Sequence, residues 1–196
     1  MTRWIKDLFR GERGTTAVNM AGVVALLLVV ALPVLWDFAT IYVSRGNAQS
    51  AADASSLAAA EAYVDVLPRI WPKLSCPPEE EPDPSAVGRY VAMMIPLMYG
   101  TYPYAYEEAV RYALLNHWSF PVGFNAYPYS GGVWRGVWVP YWRVDVQARR
   151  IAPLILTPLY RRLIFSNGRA SALVYLKSLD NGPCSLIFTW KIKLIR

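Results

Sequence analysis

Between Ala17 and Trp36 the chain runs for 20 residues with Asn19 as its one strongly polar side chain. A bilayer core is crossed by about 20 apolar residues, each rising about 1.5 Å in a helix, so this stretch is long enough to span. A secretory signal has a shorter apolar region, about 7 to 15 residues, followed by a small-residue cleavage site. Here Asp37-Phe38-Ala39-Thr40-Ile41-Tyr42 follows without a break, which predicts an uncleaved transmembrane helix over residues 15–43. Arg3, Lys6, Arg10 and Arg13 precede the span and Arg45 is the one close cation after it. Positive-inside bias therefore predicts a cytoplasmic N-terminus, a single pass through the cytoplasmic membrane and a C-terminal domain outside. In that orientation Trp36 and Tyr42 sit near the outer interface, and Asp37 reaches the headgroups, where a carboxylate costs far less than at midplane. Pro33 is tolerated in a spanning helix when neighbouring groups satisfy the freed backbone.

Residues 44–66 extend this helix. The run from Asn47 to Ala62 is dense in alanine and no proline occurs before Pro68; alanine is the best helix former. Some 50 residues from Ala17 would reach roughly 75 Å as one helix. Ala48, Ala51, Ser55, Ala58 and Ala62 recur every three or four positions and form a flat strip that admits a close neighbour. Two neighbours are open at this point: a helix of another subunit, or the protein's own sheet.

Residues 67–196 are a usual size for one domain. Ser75 to Ser85 is a proline-rich acidic loop containing Glu79-Glu80-Glu81; it lacks the alternating oxygen ligands and glycine turn of a calcium site. Helical patterns cover Val87–Leu97 and Tyr106–Trp118, the latter with Glu107 and Glu108 in its first turn. Arg143 to Gln147 alternates polar and apolar residues and predicts a strand. Ala152–Ile164 is expected to be a short helix, and Arg169–Lys177 and Leu186–Ile195 to be strands joined by a turn at Asp180-Asn181-Gly182-Pro183. The fold class expected is α+β: a long N-terminal transmembrane helix continuing into a stalk, then a small extracytoplasmic domain of antiparallel strands.

The net charge of +6 is spread along the chain, which argues against a nucleic-acid partner and for a solvated basic surface. Cys76 and Cys184 are the two cysteines, and in an oxidising compartment they are a candidate disulfide tying the proline-rich loop to the C-terminal hairpin. With the lone His117 they make no metal-ligand spacing, so no metal or cofactor is expected. No GxSxG, Walker or HExxH pattern occurs, and the spacing of Glu107, Glu108 and Asp145 makes no acid pair; no catalytic residue is assigned. The middle of the chain concentrates aromatic residues, and Trp134, Trp138 and Trp142 are a candidate binding face for a surface glycan or a partner protein.

The order Glu12-Arg13-Gly14-Thr15-Thr16-Ala17, an apolar span, Asp37 followed by Tyr42, and the Gln49-Ser50-Ala51-Ala52-Asp53-Ala54 core resembles the N-terminal region of TadE/TadG-like proteins of Tad-type (Flp) pilus assembly. The Val144-Asp145-Val146 strand, the short helix expected over Ala152–Ile164 and the Ala170–Tyr175 strand are loosely similar to that family's C-terminal half. The resemblance implies a minor pseudopilin, or an anchored assembly factor, of an adhesive pilus or related secretion system, with the membrane and other pilus subunits as partners. It also implies a candidate prepilin-type cut between Gly14 and Thr15. The usual glutamate at the fifth position beyond such a cut is here Asn19, which cannot offset a new α-ammonium group in a low dielectric. The uncut, TadG-like state is therefore favoured.

Overall fold

A computed structural model describes residues 12–73, 84–116, 119–156, 164–182 and 184–195, with side chains from residue 18 onward and excepting those of 121 and 122. The chain divides into two compact units, Met1–Val43 with Ala152–Ile164, and Ser44–Ile151 with Phe165–Arg196.

Helix α1, Glu12–Val66, is 55 residues long and passes through both units. In the first unit its side chains from Val18 to Leu32 are all exposed, and its most apolar window has a mean hydropathy of 2.6 with none of it buried. A helix this long with aliphatic side chains on every side has the length and composition of a membrane span. Asp37 is the exception, with 2% exposure; its carboxyl oxygens accept the backbone N–H groups of Ile155 and Leu156.

The second unit is one five-stranded antiparallel sheet in the order β1-β5-β4-β3-β2, formed by β1 (Ile70–Pro72), β2 (Phe120–Trp134), β3 (Val137–Ile151), β4 (Phe165–Gly182) and β5 (Ser185–Ile195). Period-two alternation sends Val144, Val146 and Ala148 of β3, and Ala170, Ala172 and Val174 of β4, to one buried face. The alternate residues Arg143, Asp145, Gln147, Arg169, Lys191 and Lys193 line the other face. On the buried face lie the C-terminal half of α1 and helix α2, Pro84–Leu115. Tyr90 fastens α2 to this core, stacked on Phe188 at 3.7 Å and edge-on to Trp71 at 5.7 Å. Its hydroxyl accepts Trp190 Nε1–H and donates to the carbonyl of Pro68, while burial pushes its pKa up to about 12.

Helix α2 corrects the expectation of two helices. Val87, Tyr90, Met94, Met98, Thr101, Ala105, Ala109 and Ala113 form one continuous buried stripe at helical spacing. Pro96 and Pro103 fall on the exposed side, as do Ala92 and Tyr99 four residues before each. The carbonyls that lose a backbone partner there face water, which lowers the cost of an internal proline.

The Trp- and Val-rich run around Gly131 and Gly136 is a long hairpin. Its turn residues Arg135 and Gly136 have φ of 51° and 80°, the two positive values of a tight primed turn that matches strand twist. Strands β3 and β4 pair only from Trp142↔Val174 to Ile151↔Phe165. Beyond that point each strand keeps only its hairpin partner, so the sheet divides into two prongs. Tyr141 and Tyr175 meet edge to face at the division, and Arg135 Nη2 donates to Asn181 Oδ1 between the tips at 2.7 Å.

The short helix expected over 152–164 is not formed in its described part: 152–156 are irregular chain and a turn, with residues 157–163 outside the described residues. Pro153 lacks an N–H, and the N–H groups of Ile155 and Leu156 bond to Asp37.

Candidate functional site

The alanine strip is the first candidate surface, and the structure places it against the protein's own sheet. Ala48, Ala51 and Ser55 have no exposure, and Ala58 and Ala62 have 6% and 4%. Ala51 and Ala52 pack with Ala148 of β3 and Ala170 of β4, and Ala59, Ala60, Ala62 and Tyr63 join the main core. Methyl groups on both sides bring the helix backbone close to the strands. The closest approach is at Gly168, where an added Cβ would lie 2.2 Å from the Ala48 carbonyl oxygen. Ser55 and Ser56 bond back to carbonyls of Ala51 and Asp53, so their hydroxyls are satisfied without a partner helix.

Gln49 gives this seam its register. Its Nε2 donates to the carbonyl of Arg169 at 2.7 Å and its Oε1 accepts the Arg169 N–H at 3.2 Å. The β4–β5 register begins at Ser171↔Ile195, so Arg169 lies past that pairing and the amide of Gln49 supplies what a strand would. Asp53 Oδ1, one turn on, accepts from the same Nε2 at 2.9 Å and orients it. Polar motif residues that look surface-directed in the sequence thus hold a helix on a sheet. Replacing Gln49 by leucine is expected to destabilise the domain by roughly 1–2 kcal/mol, because the Arg169 groups lose both bonds, and Gln49→Glu by a similar amount through loss of the donor. Urea denaturation followed by tryptophan fluorescence measures both.

The tryptophan triad does not form one face. Trp142 is 1% exposed, in edge contact with Tyr99 at 5.0 Å and tilted against Tyr63 at 6.0 Å, whereas Trp138 is 52% exposed and covers Gly131. Trp134 is half-buried and packs against the core. The tyrosines of α2 remain exposed instead: Tyr99, Tyr102 and Tyr106 lie at three- and four-residue spacing, and Tyr102 and Tyr106 meet Phe124 of β2 edge-on.

The outer face of the sheet carries a polar cluster that sequence spacing does not reveal, since its members come from three strands. Asp145 Oδ1 accepts Arg143 Nε–H at 2.7 Å and the Ser171 hydroxyl, and Oδ2 accepts the Tyr127 hydroxyl at 2.9 Å. Arg143 Nη2 also donates to Ser171 Oγ, and its guanidinium lies over the Tyr129 ring at 4.9 Å. Burial alone would raise the Asp145 pKa; the Ser171, Arg143 and Tyr127 bonds outweigh it and hold the carboxyl below its ordinary value. The same carboxylate raises the Tyr127 and Arg143 values. The cluster floors an open depression of about 510 Å³ that Asn125, Gln147 and Arg169 also line.

With both carboxyl oxygens engaged across β2, β3 and β4, Asp145 acts as a register lock. A group whose pKa is lowered by folding stabilises the fold above its unfolded pKa, and that contribution is lost as pH falls through the folded value. The destabilisation caused by Asp145→Asn is therefore expected to be full at pH 7 and to shrink below about pH 4. Thermal melts of both proteins across that range measure the difference.

Among the described residues no three His, Cys, Asp or Glu side chains stand close enough to hold a metal ion. Cys184 is a half-cystine in the turn after β4, with φ of 56°. Cys76, His117 and residues 75–83 of the acidic loop lie outside the described residues, while Pro84 and Ser85, expected to end that loop, begin α2, where proline suits a helix's first turn; Gly14 and Thr15 fall within α1, without described side chains.

Residues 14–62 match the family model described as Flp pilus-assembly TadE/G-like. No curated protein and no solved structure matches the chain. The matched residues cover the apolar span, Asp37 and the alanine seam with Gln49 and Asp53. Residues 14–62 are thus similar to the TadE/G-like segment of Flp pilus assembly and lie on a helix long and apolar enough to cross a membrane, with an α+β domain behind it.

Proposed function

We propose that this protein is a non-catalytic, single-pass component of a Tad/Flp-type pilus or a related secretion system, and that it works as a permanently anchored assembly factor rather than a released pilin. The observation that carries the reading is the coincidence of the family match, residues 14–62, with the helix that is apolar at one end and docked on a sheet at the other. Four leader cations against Arg45 support a cytoplasmic N-terminus and an outer domain. Asn19, in place of an acid, supports retention of the leader. The burial of the alanine strip leaves the lipid-facing part of α1 and the exposed faces of the domain for other pilus subunits.

Deletion of the chain in its own host, followed by complementation and electron microscopy of the cell surface, tests the role. Loss of pili that the intact chain restores is expected; normal pili in the deletion would refute it. Intact mass of the membrane-extracted protein tests retention: a full-length chain is expected, and a mass lacking Met1 to Gly14 would make it a pilin-like subunit. The half-cystine state of Cys184 supports a Cys76–Cys184 bridge, for which the mass is expected to rise by two protons on reduction.

A second reading, a tethered binding module, is favoured by the exposed Tyr99–Tyr102–Tyr106 stripe of α2, which suits a glycan or partner protein. Alanine at Tyr102 and Tyr106 with pilus output unchanged and surface attachment lost would support it over the first.

A further inference from the structure

The apolar part of α1 ends at Trp36, and the next residue, Asp37, is buried although its neighbours Leu35, Trp36 and Phe38 are 59–68% exposed. What covers it is chain from more than a hundred residues later. Asp37 Oδ1 accepts the Ile155 N–H at 2.8 Å, and Oδ2 accepts the Leu156 N–H at 3.1 Å. Both contacts lie inside one compact unit, which unites Met1–Val43 with Ala152–Ile164. The base of this connection is closed by the Ala152 N–H donating to the Ile164 carbonyl at 3.0 Å.

A carboxyl group at the end of a membrane span, shielded from water, is costly unless donors replace its hydration. Two successive backbone N–H groups supply them, and in exchange the turn loses its own need for water. Bonds of this length also fix depth: the backbone of the turn lies beside Asp37, one residue beyond the span. Its side chain is apolar, with Ile155 57% exposed, and it is bonded to the residue that Trp36 and Phe38, both exposed, flank in sequence. An isoleucine presented to water at that level would gain nothing; presented to the boundary between headgroups and acyl chains it is stabilised by burial of its apolar surface.

We propose that the turn at 152–156, after β3, is a second, peripheral membrane contact, in which Asp37 clamps this turn onto the anchor and sets Ile155 into the outer leaflet. The occupant is lipid, and the clamp assigns Asp37 a role that a tolerated headgroup-level carboxylate does not have. The consequence is that the turn at 152–156 is held at the bilayer by a carboxylate of the anchor itself.

The full chain is reconstituted in phosphatidylcholine/phosphatidylglycerol vesicles with a nitroxide at Ile155→Cys, and collision with oxygen is compared with collision with a water-soluble nickel chelate. Leu28→Cys serves as the lipid reference and Lys191→Cys as the aqueous one. Oxygen is expected to exceed the chelate severalfold at 155, as at 28 and opposite to 191, and Asp37→Ala is expected to shift 155 toward the aqueous ratio without moving 28. An aqueous ratio at 155 while 28 remains in lipid would overturn the proposal and leave the anchor intact; an aqueous ratio at both would overturn the anchor itself. Shielding of 155 from both probes would assign the turn to a protein neighbour and equally refute a lipid contact. No response to Asp37→Ala would refute the clamp.

Discussion

Gly168→Ala is expected to be among the most damaging single substitutions in the sheet domain. Its added methyl group would lie 2.2 Å from the carbonyl oxygen and 2.5 Å from the next amide nitrogen of α1, at Ala48 and Gln49. Both obstacles are backbone, so no rotamer change relieves them. Either the helix is displaced, opening the alanine seam, or β4 bends and loses its bonds to Gln49. Overpacking typically costs 1–3 kcal/mol, and a backbone clash in a seam of this kind belongs at the upper end, about 3 kcal/mol. For a domain of this size that corresponds to a melting temperature lower by roughly 6–12 °C. Gly88→Ala is the control: it lies inside α2 with nothing within 4 Å of an added Cβ and is expected to be neutral or stabilising by up to about 1 kcal/mol. Near-ultraviolet circular dichroism of the detergent-solubilised chain follows both. Equal melting of wild type and Gly168→Ala would show that α1 does not lie on β4.

Trp142→Ala is expected to cost about 3–5 kcal/mol, the range for removing a buried large aromatic side chain. Trp142 stands where the two prongs of the sheet separate, in contact with Tyr63 of α1 and Tyr99 of α2, so its loss opens a void between both helices and β3. Trp138→Ala, four residues earlier on the same strand but half exposed, is expected to cost about 1 kcal/mol or less. The two tryptophans thus separate packing from surface chemistry. Urea midpoints measure the contrast, and similar midpoints for the two variants would contradict the assignment of Trp142 to the core. A loss of function in Trp138→Ala at unchanged stability would point instead to a surface role.

The anchor and the alanine helix are legible in the sequence because each rests on local, one-dimensional signals: an apolar run matched to bilayer thickness, and a proline-free alanine tract. The C-terminal hairpin is equally local in its alternation, but its turn falls between Gly182 and Ser185 rather than over Asp180–Pro183, because Asp180, Asn181 and Gly182 pair with Ile187, Leu186 and Ser185 inside the strands. Helix α2 is misread as two segments because proline is a strong local breaker; its position on the solvent side of the stripe, which removes most of the penalty, becomes visible only once the core is known. Strand β2 is hidden by Pro121, Pro128 and the Gly131-Gly132 pair, residues that disfavour strands in general but are accommodated here by bulges and by the rings of Trp138 and Tyr141. The connection after β3 reads as a helix because its partner, Asp37, lies over a hundred residues away. The seam shows the same limit: the spacing of Ala48, Ala51 and Ser55 announces a packing face and leaves its partner open. Likewise Arg143, Asp145, Tyr127 and Ser171 carry no common spacing, and only the register of β2, β3 and β4 brings them together.

The two outermost strands decide how the domain can be extended. Strand β2 has prolines at 121 and 128 and its pairing with β3 slips at both places, so its free side offers neither a regular row of donors nor a straight course to a new neighbour. At the opposite margin β1 is three residues long and ends in Pro72. Between these margins β1 covers only Ser185–Ile187 of β5, so among the described residues Thr189–Ile195 keeps an edge of its own, set with Lys191 and Lys193. A strand from a second molecule would find no regular course along β1 or β2 and would have to meet this lysine-bearing stretch of β5.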